Sequence, residues 1–184
     1  MAEIAHEDEI LDLVDINDIV RGTTTHDKVF DYENIKPYYL RAANAFIVRD
    51  DGKLWIPRRT ADKKIAPNGL DFSAAEHVMS GESYEHAMIR GFDEELNMTV
   101  DATDLTFFYT STPLTNQDSY YINKNFLLRH GQVPAYNPND FVGYEWLTPE
   151  ELIERMENGE AGKRNLIEIT NALLRYQAQH TSHE

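Results

Sequence analysis

The sequence predicts an α/β fold of the α+β kind, in which a mixed β-sheet is sandwiched between helices. Short apolar segments with strand character occur both as hairpins and in alternation with amphipathic helical segments, a combination typical of a mixed sheet covered by helices. The chain has 184 residues, of which 41% are hydrophobic and 27% are charged, as in an ordinary globular protein. This length suits one domain with an added hairpin.

Turn residues between apolar runs predict the strands. Two apolar segments, 10–14 and 19–22, are separated by Asp and Asn and indicate an N-terminal hairpin. Asp51-Gly52 lies between the runs 41–49 and 53–57 and is a strong hairpin signal. Segment 26–35 fits either a short helix or an irregular connection. Further strands are expected at 72–79, 105–110, 120–129 (weakened by Asn123 and Asn125) and 144–146.

Three segments have the pattern of helices. Residues 83–97 carry apolar side chains at helical spacing, and Asn97 suits the left-handed conformation at a helix end. The run 148–151, Thr-Pro-Glu-Glu, is a capping box with proline at the first helical position, and it opens a helix that ends near residue 157. A last amphipathic helix is predicted over 163–177. The expected organisation is a hairpin extension over residues 1–35 and a main domain over residues 36–180.

The chain is strongly acidic, with 17 basic and 32 acidic residues and a formal net charge of −15. This charge opposes a nucleic-acid polymer as partner, because phosphate backbones are bound by basic surfaces. A phosphate ligand would therefore have to meet a few local cations or a metal ion. No apolar run approaches the ~20 residues of a membrane span, residues 1–8 are acidic and unlike a secretory signal, and cysteine is absent. We expect a cytoplasmic protein with no membrane partner.

Helix 83–97 and the loop before it carry five carboxylates: Glu82, Glu85, Asp93, Glu94 and Glu95. Hard cations such as Mg²⁺ take carboxylate oxygens and water, and they bridge to substrate phosphates. A metal site is one interpretation, and a solvated helix face is the alternative that charge alone favours. Arg90 lies one helical turn from Glu94 and can pair with Glu94 or Glu82.

A basic segment precedes this acidic helix. Arg58, Arg59, Lys63 and Lys64 lie within seven residues of an otherwise acidic chain. Cations neutralise the charge that develops on a transferring phosphoryl group. A solvated basic loop is the alternative, and it would be preferred if no phosphate-related motif lay nearby.

The stretch 76–98 resembles the Nudix box, Gly-x5-Glu-x7-Arg-Glu-U-x-Glu-Glu-x-Gly-U, where U is a bulky apolar residue. Six positions match in one ungapped register: Glu82, Arg90, Phe92, Glu94, Glu95 and Met98. Three positions differ, because Glu76 and Asn97 replace the two glycines and Gly91 replaces the glutamate after the arginine. The resemblance implies a Nudix fold for residues 36–180, with Mg²⁺ or Mn²⁺ held by Glu82, Glu94 and Glu95 and with Arg90, Glu94 and Glu95 in the catalytic set. In the family, the glutamate that Gly91 replaces commonly binds metal or serves as a base.

The wider chain resembles the isopentenyl-diphosphate isomerase-like branch of the Nudix superfamily, notably in the runs 58–64, 85–90 and 146–152. The catalytic cysteine of the isomerase corresponds to Ala75 here, and one of its metal-binding histidines corresponds to Arg41. The chain has no cysteine. Isomerisation needs that proton-transfer machinery, so this activity is rejected, and the resemblance points to the hydrolases of the branch.

The predicted function is metal-dependent hydrolysis of a diphosphate linkage in a nucleoside diphosphate derivative or a similar small molecule. The resemblance implies that Arg59 and Lys63 contact the diphosphate. Asp140 falls near a downstream glutamate of many Nudix hydrolases and is a candidate metal ligand or base, although an aspartate after Asn-Pro-Asn is more often a turn former. The alternative function, suggested by Gly91, is a non-catalytic or weakly active module that binds a nucleotide or a diphosphate. The leading hairpin is a candidate contact of a homodimer.

Overall fold

The computed structural model describes residues 9–115 and 119–181 and confirms the predicted class, a mixed sheet between helices. The first eight residues of the predicted extension lie outside this description. The three α-helices are α1 (Tyr84–Leu96), α2 (Pro149–Glu157) and α3 (Leu166–Thr181). The strands are β1 (Ile10–Val14), β2 (Val20–Thr25), β3 (Leu40–Val48), β4 (Leu54–Arg59), β5 (Ala74–His77), β6 (Leu105–Ser111), β7 (Tyr121–Arg129) and β8 (Phe141–Leu147).

The main sheet has six strands in the order β6-β7-β3-β4-β8, with β5 also paired to β3. Strand β3 runs parallel to β7 and antiparallel to β5. Strands β4 and β8 are antiparallel along their length. The sheet is therefore mixed, and β3, which is central, is apolar over most of its length because helices cover both faces.

Two hydrophobic clusters lie on opposite faces of this sheet. On one face, α1 packs Phe92 into a cluster that contains Ala45 of β3. On the other face, Leu152 of α2 and Ile169 of α3 pack into a cluster that contains Phe46. Neighbouring residues of β3 thus point to opposite layers, as the two-residue period of a strand requires.

The N-terminal hairpin, β1 with β2, packs against the main domain. Leu11 is buried, and the backbones of Val14 and Tyr39 exchange hydrogen bonds of 2.9 and 2.8 Å. The hairpin is confirmed, and the segment that follows it contains two short 3-10 helices, His26–Lys28 and Tyr32–Asn34. The division of the chain at residue 35 stays a prediction.

Two element boundaries differ from those predicted because of tertiary pairing. Helix α3 begins at Leu166 and not at residue 163, since the preceding backbone runs beside Leu70. The Leu70 N–H donates to the Ala161 carbonyl (2.8 Å), and the Lys163 N–H donates to the Leu70 carbonyl (3.1 Å). Strand β8 is longer than 144–146 because it pairs with the whole of β4.

Strand β7 runs over nine residues although Asn123 and Asn125 weaken it as a strand. The side-chain amide of Asn44 in β3 donates to Asn123 Oδ1 at 3.3 Å and to Asn125 Oδ1 at 3.0 Å. All three side chains are buried, and these mutual bonds satisfy polar groups that would otherwise oppose burial.

Candidate active site

Helix α1 is defined by a cap at each end. The loop before it turns at Gly81, whose φ of +78° is in the left-handed region that favours glycine. The Ser83 hydroxyl accepts the His86 N–H at 3.2 Å. Asn97 ends the helix at a φ of +51°, which confirms the prediction made for it. The helix is anchored to the sheet by its buried residues, Tyr84, Ala87, Met88, Gly91, Phe92 and Leu96.

The Arg90 guanidinium joins the loop before α1 to the helix. Nη1 donates to Glu76 Oε2 at 2.9 Å, and Nη2 donates to the His77 carbonyl at 2.8 Å. Nε and Nη2 donate to the two oxygens of Glu82 at 3.2 and 3.1 Å. A longer contact of 3.4 Å joins Nη1 to Glu94. Both pairings that the sequence suggested for Arg90, with Glu82 and with Glu94, are therefore present.

Both carboxylate oxygens of Glu82 are engaged. Besides Arg90, Glu82 Oε2 accepts the Met79 N–H at 3.0 Å, and the side chain is largely buried. In this arrangement Glu82 holds Arg90 and closes the turn that leads into α1. The metal-binding role that the resemblance implies for Glu82 stays a prediction.

Glu95 lies on the side of α1 that faces β5, where its Oε2 accepts the Ala75 N–H at 3.2 Å. Burial is the main reason why the pKa of this carboxyl lies well above its ordinary range. Four charged neighbours also act on it: Glu76, Asp71, Lys163 and Asp140. The three carboxylates raise the pKa and the lysine lowers it, so Glu95 is surrounded by an excess of negative charge.

Arg59 and Lys63, the two residues predicted to bind the diphosphate, each form an ion pair with an aspartate. The Arg59 Nη1 pairs with Asp71, which is almost wholly buried. The Lys63 ammonium pairs with Asp140, so two of the predicted site residues contact each other. Asp71 and Asp140 both raise the pKa of the Glu95 carboxyl, so these two ion pairs lie within electrostatic range of α1.

The other two cations of the basic segment are engaged elsewhere. Arg58 donates to Glu160 at 2.6 Å and to the Asn68 carbonyl at 2.9 Å. The Lys64 ammonium lies 4.5 Å from the ring centroid of Phe30. The fold thus separates four cations that the sequence could only treat as one cluster.

Three charged residues of the site are not among those predicted. Glu76 appears in the sequence only as a departure from the box. Asp71 precedes a predicted strand, and Lys163 falls in a predicted helix, so neither has a local signal. In the structure the Lys163 ammonium is 3.0 Å from Asp71, which it shares with Arg59.

The chemistry of this donor set suits a hard divalent cation. Burial, helped by the nearby charge of Glu94, raises the pKa of Glu76 to about 7 despite the opposing effect of Arg90. A divalent cation would relieve the repulsion among Glu76, Glu94 and Glu95, and carboxylates are the ligands it prefers. Within the described ranges, no three acidic or histidine side chains already enclose a position for a metal ion. These residues therefore fit a divalent cation by the type of their ligand atoms and by their negative charge.

The model of the NUDIX domain matches residues 38–168 of the chain. The chain belongs to the Nudix family. It is 40% identical over 161 residues to an uncharacterized Nudix hydrolase of Nostoc sp. (strain PCC 7120), a match that covers 88% of this chain and 93% of that protein. The crystal structure of DR0079 from Deinococcus radiodurans is similar with a TM-score of 0.77 and 38% identity, and the match covers 89% of this chain and 98% of that one.

This chain is accordingly a Nudix-type hydrolase, and its family implies a pyrophosphohydrolase that acts on small molecules with a divalent cation. A more distant similarity, 31% identity over 110 residues, links this Nudix hydrolase to the isopentenyl-diphosphate Delta-isomerase of Salmonella heidelberg; it covers 57% of this chain and 60% of that one. Ala75, at the position predicted to correspond to the catalytic cysteine of the isomerase, has no nucleophilic side chain. Arg41, at the position of a metal-binding histidine, pairs with Asp18 at 2.6 Å. The rejection of isomerase activity stays a prediction.

None of the helices in the described part of this Nudix hydrolase has the length and apolar character needed to span a membrane. The cytoplasmic location and the homodimer through the hairpin stay predictions.

Proposed function

We propose that this Nudix hydrolase cleaves a diphosphate linkage in a nucleoside diphosphate derivative or a similar small molecule, with Mg²⁺ or Mn²⁺ as its cofactor. The observation that carries the proposal is that Asp71 and Asp140, which pair with Arg59 and Lys63, both lie near enough to Glu95 to raise the pKa of its carboxyl. Carboxylates for a cation and cations for phosphate oxygens then lie within reach of one ligand.

Arg59 and Lys63 are the residues that we expect to bind the diphosphate. Both now pair with carboxylates, and phosphate oxygens would replace those partners. Asp71 would retain Lys163 as its counter-ion, so the transfer of Arg59 to the ligand would not leave a buried aspartate unpaired. The transfer of Lys63 would release Asp140 at the site.

In the reaction, a water oxygen forms a bond to phosphorus, the bond from phosphorus to the bridging oxygen breaks, and a proton passes from the water to a base. A bound divalent cation withdraws charge from the phosphate oxygens and activates the water. Glu94 and Glu95, with Glu82 by the family pattern, are the proposed ligands of that cation. Asp140 and Glu95 are our candidates for accepting the proton. Arg90 would hold the carboxylates to which it bonds, Glu82 and Glu94, in position for the cation.

The test is the release of phosphate or nucleoside monophosphate from a panel of nucleoside diphosphates and diphosphate-linked nucleosides, with Mg²⁺ and with Mn²⁺. We expect turnover that a chelator abolishes. Glu95→Gln should reduce kcat by about 10² to 10⁴, the range lost when a positioned acid–base group is removed. Asp93→Asn is the matched control, since Asp93 is an exposed acid on the same helix, and it should keep native activity.

Two results would contradict the proposal. One is the absence of product from every substrate with either metal. The other is full activity of the Glu95→Gln protein. If nucleotides instead raise the melting temperature without metal and without turnover, the protein is the binding module that Gly91 suggested.

A further inference from the structure

Two of the three departures from the Nudix box involve residues that contact each other. The pattern has glycine at position 76 and glutamate at position 91, whereas this chain has Glu76 and Gly91. Glu76 lies on β5 and Gly91 lies on α1, and these two elements pack together. The two substitutions therefore concern one place in the fold although they are far apart along the chain.

The side chain of Glu76 occupies the space into which a side chain at position 91 would project. A β carbon built on Gly91 would lie 2.5 Å from Glu76 Cγ and 3.5 Å from Glu76 Cβ. Real β carbons essentially never come within 3.0 Å of a non-bonded heavy atom, so a glutamate at 91 is incompatible with Glu76 in its present position. Glycine at 91 is what makes room for the carboxylate that comes from β5.

We infer that Glu76 and Gly91 are a reciprocal exchange, in which β5 supplies a metal-binding carboxylate that the box otherwise carries on α1. The carboxyl carbon of Glu76 is one bond beyond Cγ and so lies within about 4 Å of the built β carbon. A glutamate at 91 would carry its own carboxyl carbon about 2.5 Å from that same β carbon. The two carboxyl carbons would therefore lie no more than about 6.5 Å apart, at the same place between β5 and α1.

The surroundings of Glu76 support this role. Its Oε2 accepts a hydrogen bond from Arg90, the residue that precedes position 91 in the box. It lies within electrostatic reach of both Glu94 and Glu95, since Glu94 acts on Glu76 and Glu76 acts on Glu95. Its side chain is only 13% exposed, and it shares the Arg90 guanidinium with Glu82, so one cation balances two largely buried carboxylates and a divalent cation would stabilise them further. The inference rests on the proposed function, which supplies that cation.

The test compares Mn²⁺ binding, measured by electron paramagnetic resonance or calorimetry without nucleotide, in six proteins. They are the native protein, Glu76→Gln, Glu76→Gly, Gly91→Glu, the double variant Glu76→Gly/Gly91→Glu, and the control Asp93→Asn. We expect Glu76→Gln and Glu76→Gly to weaken Mn²⁺ binding at least about tenfold, the smallest loss typical of residues that support a metal site. Gly91→Glu should destabilise the fold through its clash. The double variant should recover Mn²⁺ affinity to near the native value.

Glu76→Gln separates metal binding from packing, because glutamine keeps the shape of the side chain and an oxygen for Arg90. Unchanged Mn²⁺ affinity in the Glu76→Gln protein would overturn the inference, and so would a folded double variant that fails to recover affinity. If the double variant does not fold, the Glu76→Gln protein decides alone. A native protein that binds no Mn²⁺ would overturn both this inference and the metal dependence of the proposed function, whereas native binding with an unaffected Glu76→Gln protein overturns this inference only. Asp93→Asn should bind Mn²⁺ as the native protein does.

Discussion

Replacing Arg90 by glutamine should remove the guanidinium that joins the loop before α1 to the helix. The side chains of Arg90, Glu82 and Glu76 are only 17, 14 and 13% exposed, so two largely buried carboxylates would lose their cation. Breaking a buried ion pair by removing one partner costs about 3–5 kcal/mol. We expect about 3 kcal/mol here, at the lower end of that range, since water still reaches part of each group. That is a large fraction of the about 5–15 kcal/mol that stabilises a typical domain.

The assay is urea denaturation without divalent cations, in which the midpoint should fall while the slope stays unchanged. The melting temperature should fall by about 6–12 °C for this chain length. Arg21→Gln is the matched control, because Arg21 pairs with Asp15 at 2.6 Å but is 48% exposed, and losing this solvent-screened pair should destabilise the protein far less. If Arg90→Gln destabilises the protein no more than Arg21→Gln does, the reasoning about the buried carboxylates is wrong.

Two further predictions concern pH and ligand binding. Because burial raises the pKa of Glu95 in the folded state, the metal-free native protein should lose stability as pH rises above the unfolded value of about 4.3. The stability of Glu95→Gln relative to native should therefore grow as the pH rises above about 4.3. Denaturation curves at several pH values measure this difference, and parallel pH profiles of the two proteins would contradict it. Lys63→Met should raise KM for the diphosphate substrate about 10- to 100-fold, the value of a hydrogen bond to a charged group. Lys64→Met, whose lysine lies over Phe30, should leave KM unchanged, and equal effects of the two substitutions would refute the role given to Lys63.

The elements that could be predicted from the sequence are those specified by neighbouring residues. The Thr148 hydroxyl accepts the Glu151 N–H at 3.1 Å, and a Glu151 oxygen accepts the Thr148 N–H at 2.8 Å, which is the predicted capping box. The turn at Gly52, with a φ of +82°, lies between β3 and β4 as expected. The residues that form such a cap or turn are all close together in the sequence, so these elements could be predicted without knowledge of the tertiary structure.

The start of α3, and the stability of β7 despite its asparagines, depend on partners far along the chain. The first residues of the predicted last helix extend beside Leu70 and leave α3 to begin at Leu166. Strand β7 tolerates Asn123 and Asn125 because Asn44 of another strand bonds to both. No periodicity in the local sequence carries this information.

The candidate site divides in the same way. Glu94, Glu95 and Arg90 could be found from the spacing of the box, and Arg59 and Lys63 from the density of cations. Asp71 and Lys163 could not be found, because they reach the site only through the packing of a loop and of the chain before α3. In the sequence Glu76 is only a departure from the box, and its proximity to Gly91 is visible only in the structure.

By itself, then, the sequence determined the kinds of element, their order, the family pattern and the carboxylates of one helix, all of which follow from short-range spacing. Only the tertiary structure decided which charges are neighbours: Arg59 pairs with Asp71, Lys63 pairs with Asp140, and Glu76 occupies the space left by Gly91. The physical reason is that Coulomb interactions and steric exclusion depend on distance in space, and these residues become neighbours only when β5, α1 and the basic segment pack together.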